Sequence, residues 1–433
     1  MNSVAPEPAS LADWLSYLET LHPQAIEMGL ARIARVRSDL SLIPSFPIII
    51  VGGTNGKGSV CTMLESILHC AGYRVGCYIS PHLLQYNERV RIGKKNIDDK
   101  SLCEAFAQIN SVRQYSNTSL TYFEFGTLAA VLCFMQAQVD VAILEVGLGG
   151  RLDAVNIFDA DCSILTSIDF DHMDYLGDSR EKIGFEKAAI FRENRPAICA
   201  ELDIPQSVSQ HAGQTGAVFY RLGKEFGYAI RENQWDFWDQ KSNRLALPLP
   251  ILRGEKQVQN ASACLMALNT LCNLLPVSMN NIRQGLLEAV IPGRFQVIST
   301  QPMIILDVAH NPAAAIVLAK NLASTKPNGR TYAVFAMLRD KDIQGVIQVL
   351  KEHIDCWLVA TILTPRAAPS EYLLNELDQA GIKGEHQRLQ FDGCAEAFVF
   401  ACEQAGKNDR ICVFGSFYTV SDVLQHLAKA QNK

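Results

Sequence analysis

The stretch IIIVGGTNGKGSVCTM, residues 48–63, limits the possible folds more than any other part of the chain. Its apolar half is unbroken and β-branched, with no polar alternation, so it reads as a strand buried on both faces. A cluster of glycines follows, and then the helical pattern KGSVCTMLESILHC. Strand, glycine turn and helix in that order make an anion site. Backbone N–H groups point inward and the helix N-terminus adds positive potential. Gly52, Gly53, Gly56 and Gly58 let the backbone approach phosphate oxygens, Lys57 neutralises phosphate charge, and Ser59 offers a hydroxyl to Mg²⁺. The loop departs from the common G-x-x-x-x-G-K-[ST] form, with Val51 in place of its first glycine and Gly58 in place of the Ser/Thr.

The same grammar recurs. RVGCYIS, VDVAILEVG, DCSILTSID and RPAICAE read as further buried strands, with the helix FGTLAAVLCFMQAQ before VDVAILEVG. After IPGRFQVI the pattern restarts with MIILDVAH, TYAVFAML, CWLVATIL and RICVFGS, again separated by helices. This predicts α/β architecture: an N-terminal phosphate-loop ATPase domain with a mainly parallel sheet, and a smaller C-terminal Rossmann-like α/β domain. The boundary falls at the Pro-Gly pair, giving domains 1–292 and 293–433, and 433 residues suit two cores. Residues 203–250 read as irregular, with excursions off the first sheet.

A net charge of −6 gives no basic surface for nucleic acid. No apolar stretch approaches the ~20 residues of a membrane span. Thirteen cysteines, most inside apolar runs and none in C-x-x-C, predict free thiols and, with no signal pattern at the N-terminus, a cytoplasmic location.

Other candidates stand at strand ends. Ser80 and His82 follow the second strand, where ligands bind in open α/β sheets. Glu145 ends an apolar strand, and a metal ion would satisfy its buried charge. Asp169, Asp171, His172 and Asp174 crowd one turn, and His172 is read as a second metal ligand. Lys187 lies on the helix GFEKAAIFR, where spacing alone makes it a solvated lysine. Asp307, His310, Arg294, Asn260 and the FGSFYTV turn are individually a cap, a linker arginine and turn residues; together they suggest a second domain closing over a nucleotide.

GTNGKGS resembles the loop of the Mur ligase superfamily, and specifically of its folylpolyglutamate synthase branch. SPHL, ERVRI, LTYFEFGTLAA, EVGLGGRLDA, PGRFQ, DVAHNP and MLRDKDI extend the resemblance over nearly the whole chain, nearest to the bifunctional dihydrofolate synthase/folylpolyglutamate synthases. Ala189 and Arg339 depart from the usual Gly and His. The resemblance implies that Gly56, Lys57, Gly58 and Ser59 hold the ATP triphosphate, with Asn260, Arg294, Asp307 and His310 as further nucleotide contacts. It places one Mg²⁺ at Ser80, Glu145 and Ser59, and a second at His172 and a carbamylated Lys187. It assigns Tyr122, Phe123, Glu124 and Phe125, with Arg151, Leu152, Asp153 and Ala154, to the pterin substrate. Lys57, Lys187 and His172 become the catalytic set. The implied reaction is ATP-driven amide ligation through an acyl phosphate, joining L-glutamate to dihydropteroate and to reduced folates, by a monomer. The alternatives are a synthase restricted to polyglutamylation, a cell-wall Mur ligase or a non-ligating nucleotide module. LTYFEFGTLAA and a leader of only about 46 residues before the first strand argue against the cell-wall enzyme.

Overall fold

The computed structural model describes residues 8–24, 26–252, 254, 256–325, 329–384 and 387–431. Two compact units divide the chain: residues to 82 with 86–251 and 258–289, and residues 83–85 and 252–257 with everything from 290 on.

The first unit is built on eight strands: β1 (Ile48–Gly52), β2 (Val75–Tyr78), β3 (Val90–Ile92), β4 (Lys95–Asn96), β5 (Val141–Glu145), β6 (Cys162–Leu165), β7 (Pro196–Cys199) and β8 (Val218–Arg221). Their order is β4-β3-β2-β5-β1-β6-β7-β8. Neighbours from β2 through β5, β1, β6 and β7 to β8 run parallel, whereas the β2–β3 and β3–β4 pairs are antiparallel. β1 and β5 are buried along their whole length, as their unbroken apolar runs require. From central β1 the chain crosses to β2 on one side and later, from β5, to β6 on the other. The crevice at the C-terminal ends of β5, β1 and β6 is therefore a topological switch point. Local chemistry sets the helix starts: Thr121 and Glu124 form a reciprocal capping box for Tyr122–Gln136, and Asp98 caps Asp99–Tyr115.

Residues 203–250 are not irregular. They form a helix (Gln206–Thr215), the edge strand β8, and a separate antiparallel sheet of β9 (Phe226–Ile230), β10 (Gln234–Asp239) and β11 (Asn243–Pro248). Trp235 and Phe237 are fully buried, and Asp236 between them, also buried, ion-pairs with Arg231, so apolar and polar side chains alternate. That period of two was present in QWDFWD and is the signal the composition obscured.

The second unit holds β12 (Gln296–Thr300), β13 (Met303–Leu306), β14 (Thr331–Phe335), β15 (Cys356–Ala360), β16 (Arg388–Phe391) and β17 (Arg410–Phe414), in the order β12-β13-β17-β14-β15-β16, with β12 alone antiparallel. Neighbouring residues of one strand enter different cores. Ala333 and Phe335 pack on one face, Tyr332 and Val334 on the other, so helices cover both sides. All thirteen cysteines are unpaired. Among the described residues no helix is long and apolar enough to cross a membrane.

Candidate active site

The glycine loop leaves β1 at the switch point, and two positions require glycine. Gly53 has φ +140°, and a Cβ there would lie 1.9 Å from Thr166 Oγ1. Gly56 has φ +91°, and its Cβ would lie 2.9 Å from Asn260 Oδ1. The loop is strapped to the segment after β6. Thr54 N donates to Ser167 O at 2.7 Å, Asn55 N donates to Ser167 Oγ at 3.0 Å, and Thr166 Oγ1 donates to Asn55 O at 2.7 Å. Asp169 N adds a bond to Thr54 Oγ1 at 3.0 Å. These straps fix the loop before any ligand arrives. Thr166 and Ser167 escaped the sequence reading, because a Thr-Ser pair after a strand is unremarkable alone.

The helix Lys57–Cys70 opens directly from Gly56. Lys57 Nζ folds back to donate to Gly53 O (3.0 Å) and Thr54 O (3.1 Å). Lys187 Nζ donates to the same Gly53 carbonyl at 3.0 Å, and Lys187 is only 4% exposed. Its helix, Arg180–Ala188, is reached through the glycine turn after β5: a Cβ on Gly150 would lie 2.7 Å from Glu186 O, and Arg151 N donates to that oxygen at 2.8 Å. Lys187 is therefore not the solvated lysine that helical spacing predicts. Burial first, then the Lys57 ammonium, lowers its pKa to about 7, against the pull of Asp171 and Asp153.

Glu145 ends β5 buried, and Ser80 N donates to its Oε2 at 3.0 Å. A Cβ on Gly58 would lie 3.9 Å from Glu145 Oε1, which puts this carboxylate beside the first turn of the helix that carries buried Ser59. His172 stands at φ +51°, with its ring Nε2 3.8 Å from Asp171 Oδ2 and its backbone N donating to Asp171 Oδ1 at 3.0 Å. Among the described residues no three His, Cys, Asp or Glu side chains group into a metal cage. One carboxylate with hydroxyl oxygens is the donor set Mg²⁺ accepts when substrate phosphates and water complete its shell, so the residues fit the ion. His82 lies beyond Ser80. Burial, then Arg89, holds its imidazole down to about 4, and its Nδ1 accepts from Arg89 Nε at 2.8 Å.

The candidate substrate residues divide. The Phe123 ring lies against Gly147, where a Cβ would meet it at 2.6 Å, and 5.8 Å from the Tyr78 ring. Tyr122 packs edge-on against Tyr86 at 5.7 Å. Glu124 and Phe125 do not join them. Glu124 accepts from Thr121 N (2.7 Å) and Arg32 Nη2 (3.1 Å) as a helix cap, and Phe125 is fully buried against Phe106. Two and three positions on from Tyr122, both turn inward on the helix. Asp153 accepts from Leu148 N (2.7 Å) and Val155 N (3.0 Å), and burial raises its pKa to about 6. Ala154 is buried, Leu152 half-buried, and Arg151 is exposed with its Nε on Glu186 at 3.0 Å. Met28 Cε lies 3.7 Å from where a Cβ of Gly149 would stand, beside the same turn.

In the second unit, Asp307 follows β13 and accepts from Phe295 N and Ala309 N, each at 2.8 Å. Burial raises its pKa while Arg294 opposes the rise. The Arg294 guanidinium lies 5.4 Å over the Phe417 ring, and the His310 ring lies 6.2 Å from it. His310 Nδ1 is 2.8 Å from Val308 O, and Asn311 caps the next helix. Asn260 stays in the first unit, against Gly56.

Residues 51–268 match the family model "Mur ligase middle domain", and residues 293–417 match "Mur ligase, glutamate ligase domain". The "Dihydrofolate synthase/folylpolyglutamate synthase" of Escherichia coli (strain K12) is 45% identical over 97% of this chain and 96% of its own. A structure described as E. coli FolC in complex with DHPP and ADP superimposes with TM-score 0.93 at 44% identity, covering 99% of this chain and 100% of that one. A bifunctional folylpolyglutamate synthase/dihydrofolate synthase with Mn, AMPPNP and L-glutamate bound gives TM-score 0.89 at 44% identity over 98% and 99%.

Proposed function

The chain belongs to the Mur ligase family, and from that premise we propose that it is a bifunctional, ATP-dependent ligase joining L-glutamate to dihydropteroate and to reduced folates. The observation that carries this reading is the convergence at one sheet edge of the strapped glycine loop, Glu145 with Ser80, and two lysines on one carbonyl. The 45% identity to the E. coli enzyme, over almost all of both chains, supports the substrates. The free cysteines suit a cytoplasmic setting.

A carboxylate does not acylate an amine at neutral pH, so the acceptor is first phosphorylated. The loop's N–H groups and Lys57 grip the triphosphate of ATP and orient its γ-phosphoryl group. The acceptor carboxylate attacks phosphorus, ADP leaves, and an acyl phosphate forms. The amine of glutamate then attacks the acyl carbon, a proton is lost from nitrogen, and phosphate departs. Ser59, Ser80 and Glu145 would hold one Mg²⁺, and His172 with Lys187 a second; the ions supply charge neutralisation between the two anionic reactants. At Lys187 a neutral amine adds to CO₂ and loses a proton, giving a carbamate. Its pKa of about 7 keeps the required neutral form available. Asn260 and Arg294, Asp307 and His310 would contact the nucleotide. Tyr122, Phe123 and Asp153 would place the pterin.

The test is ADP release with dihydropteroate, and separately with a reduced folate, each with L-glutamate. Both acceptors are expected to work. Turnover with the reduced folate alone would leave the narrower synthase; turnover with neither would overturn the reading.

A further inference from the structure

The mechanism above leaves one cation without work. Arg89 ends the short turn Tyr86–Arg89 just before β3, and its carbonyl accepts from Ile79 N at 2.9 Å, one residue before Ser80. Its side chain is partly buried, and Nε donates to His82 Nδ1 at 2.8 Å, a neutral partner. The guanidinium lies 5.3 Å from the Tyr86 ring centre and 5.5 Å from that of Tyr122. No carboxylate pairs with it among the described residues. Arg91, two residues on, is the contrast: it meets the buried Glu65 carboxylate at 3.0 Å. A half-buried cation that lacks an anion is an open electrostatic debt, which a ligand can settle.

A second observation points the same way. The Tyr86 hydroxyl is buried without a hydrogen-bond partner, and the buried Tyr78 hydroxyl meets no partner in good geometry although it faces Thr127 and Arg89. They converge: a Cβ on Gly126 would lie 2.4 Å from the Tyr86 oxygen and 3.1 Å from the Tyr78 oxygen. Tyr78 touches Phe123, which rests on Gly147, two residues past Glu145. The cation and these hydroxyls thus adjoin the Ile79–Ser80 segment through the Arg89 carbonyl, and the Tyr122 and Phe123 rings proposed to hold the pterin. Along an acceptor molecule, the group lying between its pterin and the phosphate of ATP is the carboxylate that reacts.

We propose that Arg89 binds the reacting carboxylate of the acceptor and holds it for attack on the γ-phosphoryl group. The proposal rests on the ligase reading. Arg89 makes the carboxylate's contact by charge-assisted hydrogen bonds from its terminal nitrogens, while His82 and the two tyrosine rings keep the guanidinium oriented. The same contact serves dihydropteroate and a reduced folate, because each presents one carboxylate to the same phosphate.

The test compares wild type, Arg89→Gln and Arg89→Lys. Calorimetry in the presence of ADP measures binding of dihydropteroate and of its primary carboxamide, and steady-state kinetics measures KM for each substrate. Wild type is expected to prefer the carboxylate by roughly 10- to 100-fold, and Arg89→Gln to lose that preference. KM should rise for both acceptors but not for ATP, with Arg89→Lys intermediate. A preference kept in Arg89→Gln, or a loss confined to the KM of glutamate, overturns the assignment. If Arg89→Gln does not fold, Arg89→Lys carries the same comparison. Wild type inactive with every acceptor would instead refute the ligase reading itself.

Discussion

The two parallel sheets end in crevices of similar construction but opposite electrostatic character. At the first, two lysine amines donate to one carbonyl, and one of them is buried with its pKa lowered to about 7. At the second, the buried carboxyl of Asp307 is met by two backbone N–H groups with Arg294 close by. Like charges forced together are tolerated only where a ligand relieves them, whereas matched charges hold a shape. On the proposed function, the first edge is the one that reacts and the second the one that grips.

The largest expected effect tests the reacting edge. Lys57→Ala should lower ligation with both acceptors by at least ~10²–10³-fold. Its thermal midpoint should stay near that of wild type, since Nζ bonds only to loop carbonyls. Near-normal turnover would mean that the crowded amines are not phosphate ligands. Next in size, Glu145→Gln should reduce turnover by roughly 10²-fold and raise the Mg²⁺ concentration needed for half-maximal rate. His172→Ala should do so less severely, as its ring is more exposed than Glu145. An unchanged Mg²⁺ titration in both would remove the metal role from this edge.

Lys187 allows a third test, one that reads the comparison through pH. An ordinary lysine titrates near 10.5, and this one near 7. Between those values the unfolded chain carries a proton that the folded chain does not, so stability rises with pH through that window. Lys187→Met removes this contribution. In CO₂-free buffer, where Lys187 is a free amine, wild type should therefore gain urea resistance relative to Lys187→Met on going from about pH 7 to about pH 9. Parallel behaviour of the two proteins would show that the amine is not strained. In buffers stripped of CO₂ the wild type should also lose activity, and bicarbonate should restore it.

The strand ends were legible in the sequence because an unbroken β-branched run has few other places to go, and glycine at its end has a narrow meaning. Glu145, Ser80 and the glycine loop stand at strand ends, as that reading expects. What the spacing of GFEKAAIFR could not reveal is burial: Lys187 is held inward by the Gly150 turn packing on its helix, a contact between segments distant in sequence. The straps from Thr166 and Ser167 were missed for the same reason. A motif names neighbours alike, while a helix turns each to a different side: Glu124 caps its own helix and Phe125 is buried, which LTYFEF alone does not reveal. The meander at 226–248 was lost to its composition, although Trp235 and Phe237 alternate correctly.

The smallest effect concerns acceptor choice, the property that neither edge decides alone. Dihydropteroate reaches the γ-phosphate with a short molecule, whereas a reduced folate adds one glutamyl unit between pterin and reacting carboxylate. The pterin must sit differently in the two cases, so an aromatic platform near the phosphate should matter more for the shorter acceptor. Phe123 is the cleaner probe. Its ring leans on Gly147 and Tyr78, and replacing it leaves backbone bonds intact, whereas Asp153 ties down Leu148 N and Val155 N. Phe123→Ala should lower dihydrofolate synthesis by about tenfold and glutamate addition by only a few-fold, the cost of one lost stacking contact. Gly147→Ala should reproduce the imbalance without touching the ring's chemistry, because its Cβ would stand 2.6 Å from the ring and displace it. The measurement is the ratio of the two rates in each variant. If both rates fall together, one pterin position serves both reactions, and the platform belongs to the shared chemistry of the first edge.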